Sequence, residues 1–146
     1  ASAGQECPYS DMNLNQVTIY SKLPVETVEF FEKLGLIRIV DSLPRYARLE
    51  CPDGESTLSV NIDEAETRPV GSVSSSNSIT LYFECENLDT EVTRLKSLGL
   101  EFTQDPTDEP WLWRQAYLLD PNSNKICLFK AGDNRKNPPW RINAVS

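Results

Sequence analysis

Six short runs along the chain alternate apolar and polar residues, and they fall into two groups of the same order. VTIY (17–20), YARLE (46–50) and TLSVNI (57–62) occupy the first half, and ITLYFE (79–84), RQAYLL (114–119) and KICLFK (125–130) the second. Alternation with period two predicts strands whose side chains point to opposite faces of a sheet. Between the first and second run of each half the apolar spacing lengthens to three. Val28, Phe31 and Leu34 reappear as Val92, Leu95 and Leu98 at an offset of 64 positions, which predicts one amphipathic helix per half. Pro24 suits the first turn of the first helix, and Asp89 is the expected N-cap of the second. Gly35 and Gly99 each stand where a left-handed helix end is wanted. Two turn signals, Cys51-Pro52-Asp53-Gly54 and Asp120-Pro121-Asn122-Ser123, separate the last two runs of each half.

Each half thus reads as strand, helix, then two or three strands, an α+β arrangement written twice. The expected organisation is an N-terminal extension 1–13, a first module 14–66 and a linker 67–77 rich in Ser, Pro and Gly. A second module 78–130 and a tail 131–146 follow, with Trp140 expected to anchor the tail on the body or on a partner subunit. Alternation also assigns faces. Val17, Ile19, Leu58, Val60, Ile62, Ile79, Leu81, Phe83, Ile126 and Leu128 are expected under the helices. The opposite face carries Thr18, Tyr20, Thr57, Ser59, Asn61, Ser78, Thr80, Tyr82, Glu84, Lys125, Cys127 and Phe129. A plainly solvated sheet face would be dominated by Lys, Glu and Arg. Small hydroxyls beside Tyr and Phe instead suit the lining of a partly enclosed small-molecule site.

Composition narrows the chemistry. With 146 residues the chain has the size of one domain, and its net charge of -8 argues against nucleic acid, whose phosphates require neutralisation. The same charge permits attraction of a cationic ligand. No apolar run approaches the ~20 residues that span a bilayer, and ASAGQECPYS has no apolar leader segment, so the expected location is cytoplasmic. The four cysteines, Cys7, Cys51, Cys85 and Cys127, lack CxxC spacing and are expected as reduced thiols. There is no histidine, which removes Ser-His-Asp and Cys-His catalysis and every His-ligated metal site. The six glycines are isolated and form no phosphate loop.

VTIY…FFEKLGL, ITLYFECENLDTEVTRLKSLGL and DPNSNKICLF together resemble the glyoxalase, bleomycin-resistance and extradiol-dioxygenase proteins, the vicinal oxygen chelate superfamily, over roughly residues 14–130. The resemblance implies two βαβββ modules whose curved, mostly antiparallel sheets enclose a cavity. It also implies, for the enzymes, a divalent metal held by a His opening each module and a Glu in each last strand. Aligning VTIY with ITLY carries these positions onto Gln16, Ser59, Ser78 and Cys127. None is a carboxylate or an imidazole, so neither metal nor other cofactor is expected.

The resemblance implies instead a metal-free protein that binds a small organic molecule, aromatic or cationic, and forms a homodimer. The candidate ligand-binding residues are Tyr20, Arg48, Ser59, Ser78, Tyr82, Glu84, Trp111, Trp113 and Cys127. Trp111 and Trp113 lie two apart, on one side if the chain is extended there. Glu84 is expected either to meet a cationic group or to pair internally with Arg48 or Arg114. A second reading is a metal-independent lyase or isomerase of the same fold that uses Cys127 or Glu84 as its catalytic residue. A third is a structural or interaction domain with a vestigial cavity.

Overall fold

The computed structural model of the chain describes residues 12–64 and 79–142. Strand β1 (Gln16–Ser21) leads into helix α1 (Pro24–Leu34), then β2 (Ile37–Ser42), β3 (Tyr46–Glu50) and β4 (Thr57–Ile62). The order recurs as β5 (Thr80–Glu84), α2 (Leu88–Ser97), β6 (Phe102–Asp108), β7 (Arg114–Leu119) and β8 (Lys125–Lys130), before a 3-10 turn, Gly132–Arg135. Two four-stranded sheets result, ordered β1-β4-β3-β2 and β5-β8-β7-β6. In each, the first strand pairs parallel with the last, and the remaining pairings are antiparallel. Strands β2 and β6 escaped the alternation because both carry register shifts, which break the period of two.

The pairing registers refine the internal repeat. Gln16 pairs with Thr57, and Thr80 pairs with Lys125, so Gln16 corresponds to Thr80. The offset of 64 therefore holds through strand and helix, and Val17 matches Leu81. Setting VTIY against ITLY is two residues out. A slip of two leaves every side chain on its expected face, which is why the face assignment survives. Cys7, Ser78 and the linker 67–77 lie outside the described residues.

Helix α1 begins at Pro24 as expected, and Gly35 closes it at φ 114, its N–H bonding the Glu32 and Phe31 carbonyls. Gly99 takes φ 95 after α2. Asp89 is not the cap. Asn87 holds that position without a side-chain bond, and Asp89 sits inside the first turn, where it meets Arg114 and still favours the helix dipole. The helices lay Val28, Phe31, Val92 and Leu95 on one continuous core with Leu49, Val60, Leu118 and Ile126. Phe31 reaches Phe83 of the second module, with ring centres 6.2 Å apart. Two expected core positions are exposed: Ile79, one residue before β5, and Leu98, at the end of α2. Among the described residues, no helix is long and apolar enough to cross a membrane.

A polar latch joins the modules at one end. Asn122, in the β7–β8 turn, accepts from the Ser21 hydroxyl at 2.6 Å and donates to Thr27 Oγ1 at 3.0 Å. Ser21 also accepts from Leu23 N–H, and Thr27 Oγ1 donates to the Leu23 carbonyl. Asp120 holds the turn by accepting from the backbone N–H groups of Asn122 and Asn124, both at 2.8 Å.

Candidate functional site

Opposite the helices, each sheet presents a different surface. On the first, register places Tyr46, Arg48, Ser59 and Asn61 beside Gln16, Thr18 and Tyr20. Ser59 is fully buried and accepts from Gln16 Nε2 at 2.6 Å. It shares a hydrogen bond of 2.7 Å with the Tyr46 hydroxyl, which accepts from Arg48 Nε at 2.9 Å. Thr57 donates to Gln16 Oε1, closing the row. The Ser59 hydrogen bond, helped less by Arg48, holds the Tyr46 phenol below its ordinary value against partial burial. Tyr20 stands apart on the same face, 60% exposed.

The second sheet gathers aromatic rings. Trp113 stacks on Phe129 at 4.6 Å with an interplanar angle of 21°. Tyr82 meets Trp113 edge-on at 6.0 Å and Phe129 at 5.8 Å. Beside them, Trp111 Nε1 donates to Gln115 Oε1 at 3.1 Å, and Gln115 Nε2 donates to the Tyr117 hydroxyl at 2.7 Å. Gln115 is buried, and the relay engages both ends of its amide. Lys125 Nζ lies 4.7 Å from the centre of the Tyr117 ring. Both indoles reach this face as expected, but through a turn: Leu112 adopts φ 73 between them, so the segment is not extended. Trp113 also borders an open hollow of about 550 Å³ shared with Arg114 and Asn134.

Several expected roles change. Glu84 pairs with neither Arg48 nor Arg114. Its carboxylate accepts from the N–H groups of Ala131 and Gly132, both at 2.9 Å, and lies 3.7 Å from Arg135, so it pins the start of the tail. Arg114 bridges Asp89 and Asp108 instead. Trp140 is 56% exposed and does not anchor the tail on this chain. The face is open, since Tyr20 and Tyr82 remain more than half exposed. Tyr46, Gln115, Tyr117 and Phe129 belong to the two surfaces, although none was among the candidate binding residues. Their signal is cross-strand pairing, which needs the register.

Cys127 lies under the aromatic face with no solvent-accessible surface, and its Sγ is 3.8 Å from the Leu128 carbonyl. Burial pushes its thiol up to about 11, against a hydrogen bond from Tyr117 that pulls the other way. Burial, with Cys127 and Tyr82 nearby, pushes the Tyr117 hydroxyl up to about 12. An accessible, low-pKa thiolate is what a nucleophile requires, and Cys127 is the reverse. Both groups are held protonated by the fold, and the unfolded chain releases those protons at lower pH. The Cys127 contribution to stability is therefore complete below the ordinary thiol value of 9.0 and is lost as pH rises through about 11. Urea midpoints should fall between pH values of about 9 and about 11, and Cys127→Ser should reduce that fall.

With the register applied, the four positions that the family resemblance assigns to a metal fall on Gln16, Thr80, Ser59 and Cys127, Thr80 replacing Ser78. Gln16 and Ser59 are hydrogen-bonded to each other, and Cys127 is a buried thiol. Borderline and hard divalent ions need carboxylate or imidazole donors, so this set does not fit them. Among the described residues, no three His, Cys, Asp or Glu side chains converge as a metal site.

The sequence model of the Glyoxalase/Bleomycin resistance protein/Dioxygenase superfamily matches residues 13–128. Solved structures share the fold. A glyoxalase/bleomycin resistance protein/dioxygenase from Nocardioides superposes with a TM-score of 0.70 at 21% identity, covering 93% of each chain. A family enzyme from Burkholderia phytofirmans PsJN gives 0.65 at 22%, over 82% of this chain and 99% of its own. A lactoylglutathione lyase from Agrobacterium tumefaciens gives 0.65 at 15%, over 93% and 100%. No curated protein sequence matches.

Proposed function

From the premise that the chain belongs to the Glyoxalase/Bleomycin resistance protein/Dioxygenase superfamily, we propose that it binds a small planar organic molecule without a metal ion. The observation that carries this reading is the Tyr82–Trp113–Phe129 cluster on the helix-free face of the second sheet. Its rings are flanked by the Trp111–Gln115–Tyr117 relay, while Tyr82 stays 51% exposed. Rigid rings with one open edge present stacking surface at little entropic cost on binding. The polar row on the first sheet supports the reading, since its neutral donors offer hydrogen bonds in place of metal coordination. A second copy of the chain, laid over the open faces, supplies the remaining wall, which makes the working form a homodimer. The three described thiols, none in a disulfide, suit a cytoplasmic setting.

The test is a thermal-shift screen of aromatic amides and amines, because a ligand that binds only the folded state raises its apparent stability. A true ligand changes the fluorescence of Trp113. Tyr82→Ala should then weaken binding about fivefold, as one ring contact is worth about 1 kcal/mol, while the unfolding midpoint hardly moves. Elemental analysis of ligand-competent protein should find no stoichiometric divalent ion. One tightly held Ni, Zn, Fe or Mn per chain, or binding indifferent to Tyr82, contradicts the proposal.

A further inference from the structure

The internal repeat makes a second module junction comparable with the latch. Register matches Glu50 with Leu119, since Glu50 pairs with Thr57 and Leu119 with Lys125. Asp120 therefore corresponds to Cys51 and Asn122 to Asp53, while the offset of 64 takes Ser21 to Cys85 and Thr27 to Glu91. Every group that closes the latch is thus replaced. The turn-holding carboxylate and the Ser21 hydroxyl become thiols, the bridging amide becomes an acid, and the hydroxyl that receives it becomes a second acid. Asp53 and Glu91 cannot bridge to each other as Asn122 and Thr27 do, because neither ionised carboxylate donates a hydrogen bond.

In place of a latch there is a cavity of about 590 Å³, and Cys51, Asp53, Cys85 and Glu91 all line it. It opens between β1 and β5 and takes part of its wall from both helices, through Leu34 and Leu95. Tyr82 borders it, but Trp113 and Phe129 do not. Its walls are largely apolar, and among the described lining residues the charged groups are all acids: Asp53, Glu84 and Glu91, with no Lys or Arg. Glu84 and Glu91 already meet Arg135 and Arg94, which lie outside the lining, whereas no ion pair involves Asp53 among the described residues. The volume is that of a small-ligand site, and an apolar chamber with acids in its wall selects a hydrophobic body carrying one positive charge.

We infer that the junction between β1 and β5 is a binding site for small lipophilic amines in their ammonium form, the ammonium meeting Asp53 and Glu91 and the hydrocarbon filling the chamber. The raised Cys85 thiol, pushed to about 11 by burial first and then by Glu91 and Glu84, reports the same mix of apolar wall and negative charge. This site shares Tyr82 with the aromatic cluster and Gln16 and Thr57 with the polar row, and the test keeps the two readings apart by using aliphatic probes. Octylammonium, octanoate and 1-octanol are titrated by calorimetry, and N-ethylmaleimide modification of Cys85 is followed by peptide mass spectrometry. Octylammonium should bind saturably and at least about tenfold more tightly than octanoate, and it should slow Cys85 modification. The double substitution Asp53→Asn with Glu91→Gln should bring octylammonium down to the affinity of 1-octanol. Equal binding of octylammonium and octanoate by the native protein overturns the proposal without relying on any variant. So does binding that leaves Cys85 unprotected, or an octylammonium affinity unaltered by the double substitution.

Discussion

Replacing Phe31 with alanine should lower unfolding free energy by about 3–5 kcal/mol, the range found for truncating a fully buried aromatic ring. Phe31 is 0% exposed, and its ring meets Phe30 edge-on at 5.0 Å as well as Phe83 at 6.2 Å. Phe83 belongs to the other module, so the cavity left by truncation opens at the seam between two packed units, and neither can relax into it alone. Urea denaturation at neutral pH measures the loss. Phe31→Leu should recover more than half of it by restoring volume. A cost below about 1 kcal/mol for Phe31→Ala would mean that the seam is loosely packed.

Asp120→Ala should cost about 2–4 kcal/mol, a large effect for a polar residue, because hydrogen bonds to a charged group contribute about 1.5–3 kcal/mol each. Asp120 is 4% exposed and serves two backbone N–H groups and the side-chain amides of Asn122 and Asn124. Removing it frees the turn that presents Asn122 to Ser21 and Thr27. The loss should therefore exceed that of Asn122→Ala, which deletes the bridge and leaves the turn intact. If Asn122→Ala proved the costlier of the two in urea denaturation, the turn would be ordered by its neighbours and not by Asp120.

The fold was legible because two independent periods, two in the strands and 3.6 in the helices, recur in the same order in both halves. The faces were legible for a further reason: Val17 and Ile19 stay under the helix whichever of the two repeat alignments is used. The register was not, since only Gln16 against Thr57 and Thr80 against Lys125 decide it. Consequently Ser78 stood in for Thr80. Tyr20 and Tyr82 were recognised as sharing a parity, yet their surroundings differ entirely. Tyr82 joins Trp113 and Phe129, while Tyr20 corresponds to Glu84, the residue that holds the tail. Glu84 could not be assigned from sequence because its partners are backbone N–H groups at Ala131 and Gly132, which carry no residue-type signal. Cys127 was conspicuous as a residue type, and only the structure shows that its thiol is fully buried.

The latch also sets an order of events during folding. Ser21 and Asn122 are 101 residues apart, so their bond closes a loop that spans most of the chain. Such contacts bear the full entropy of loop closure and form after local ones. On a ribosome, Ser21 and Thr27 emerge long before the turn that will bind them, and the first module waits with its half of the latch open. Completion comes only when Asn122 arrives, and a bond made that late acts on the exit from the native state more than on the entry. Asn122→Ala should accordingly speed unfolding several-fold in stopped-flow urea jumps while refolding keeps its native rate.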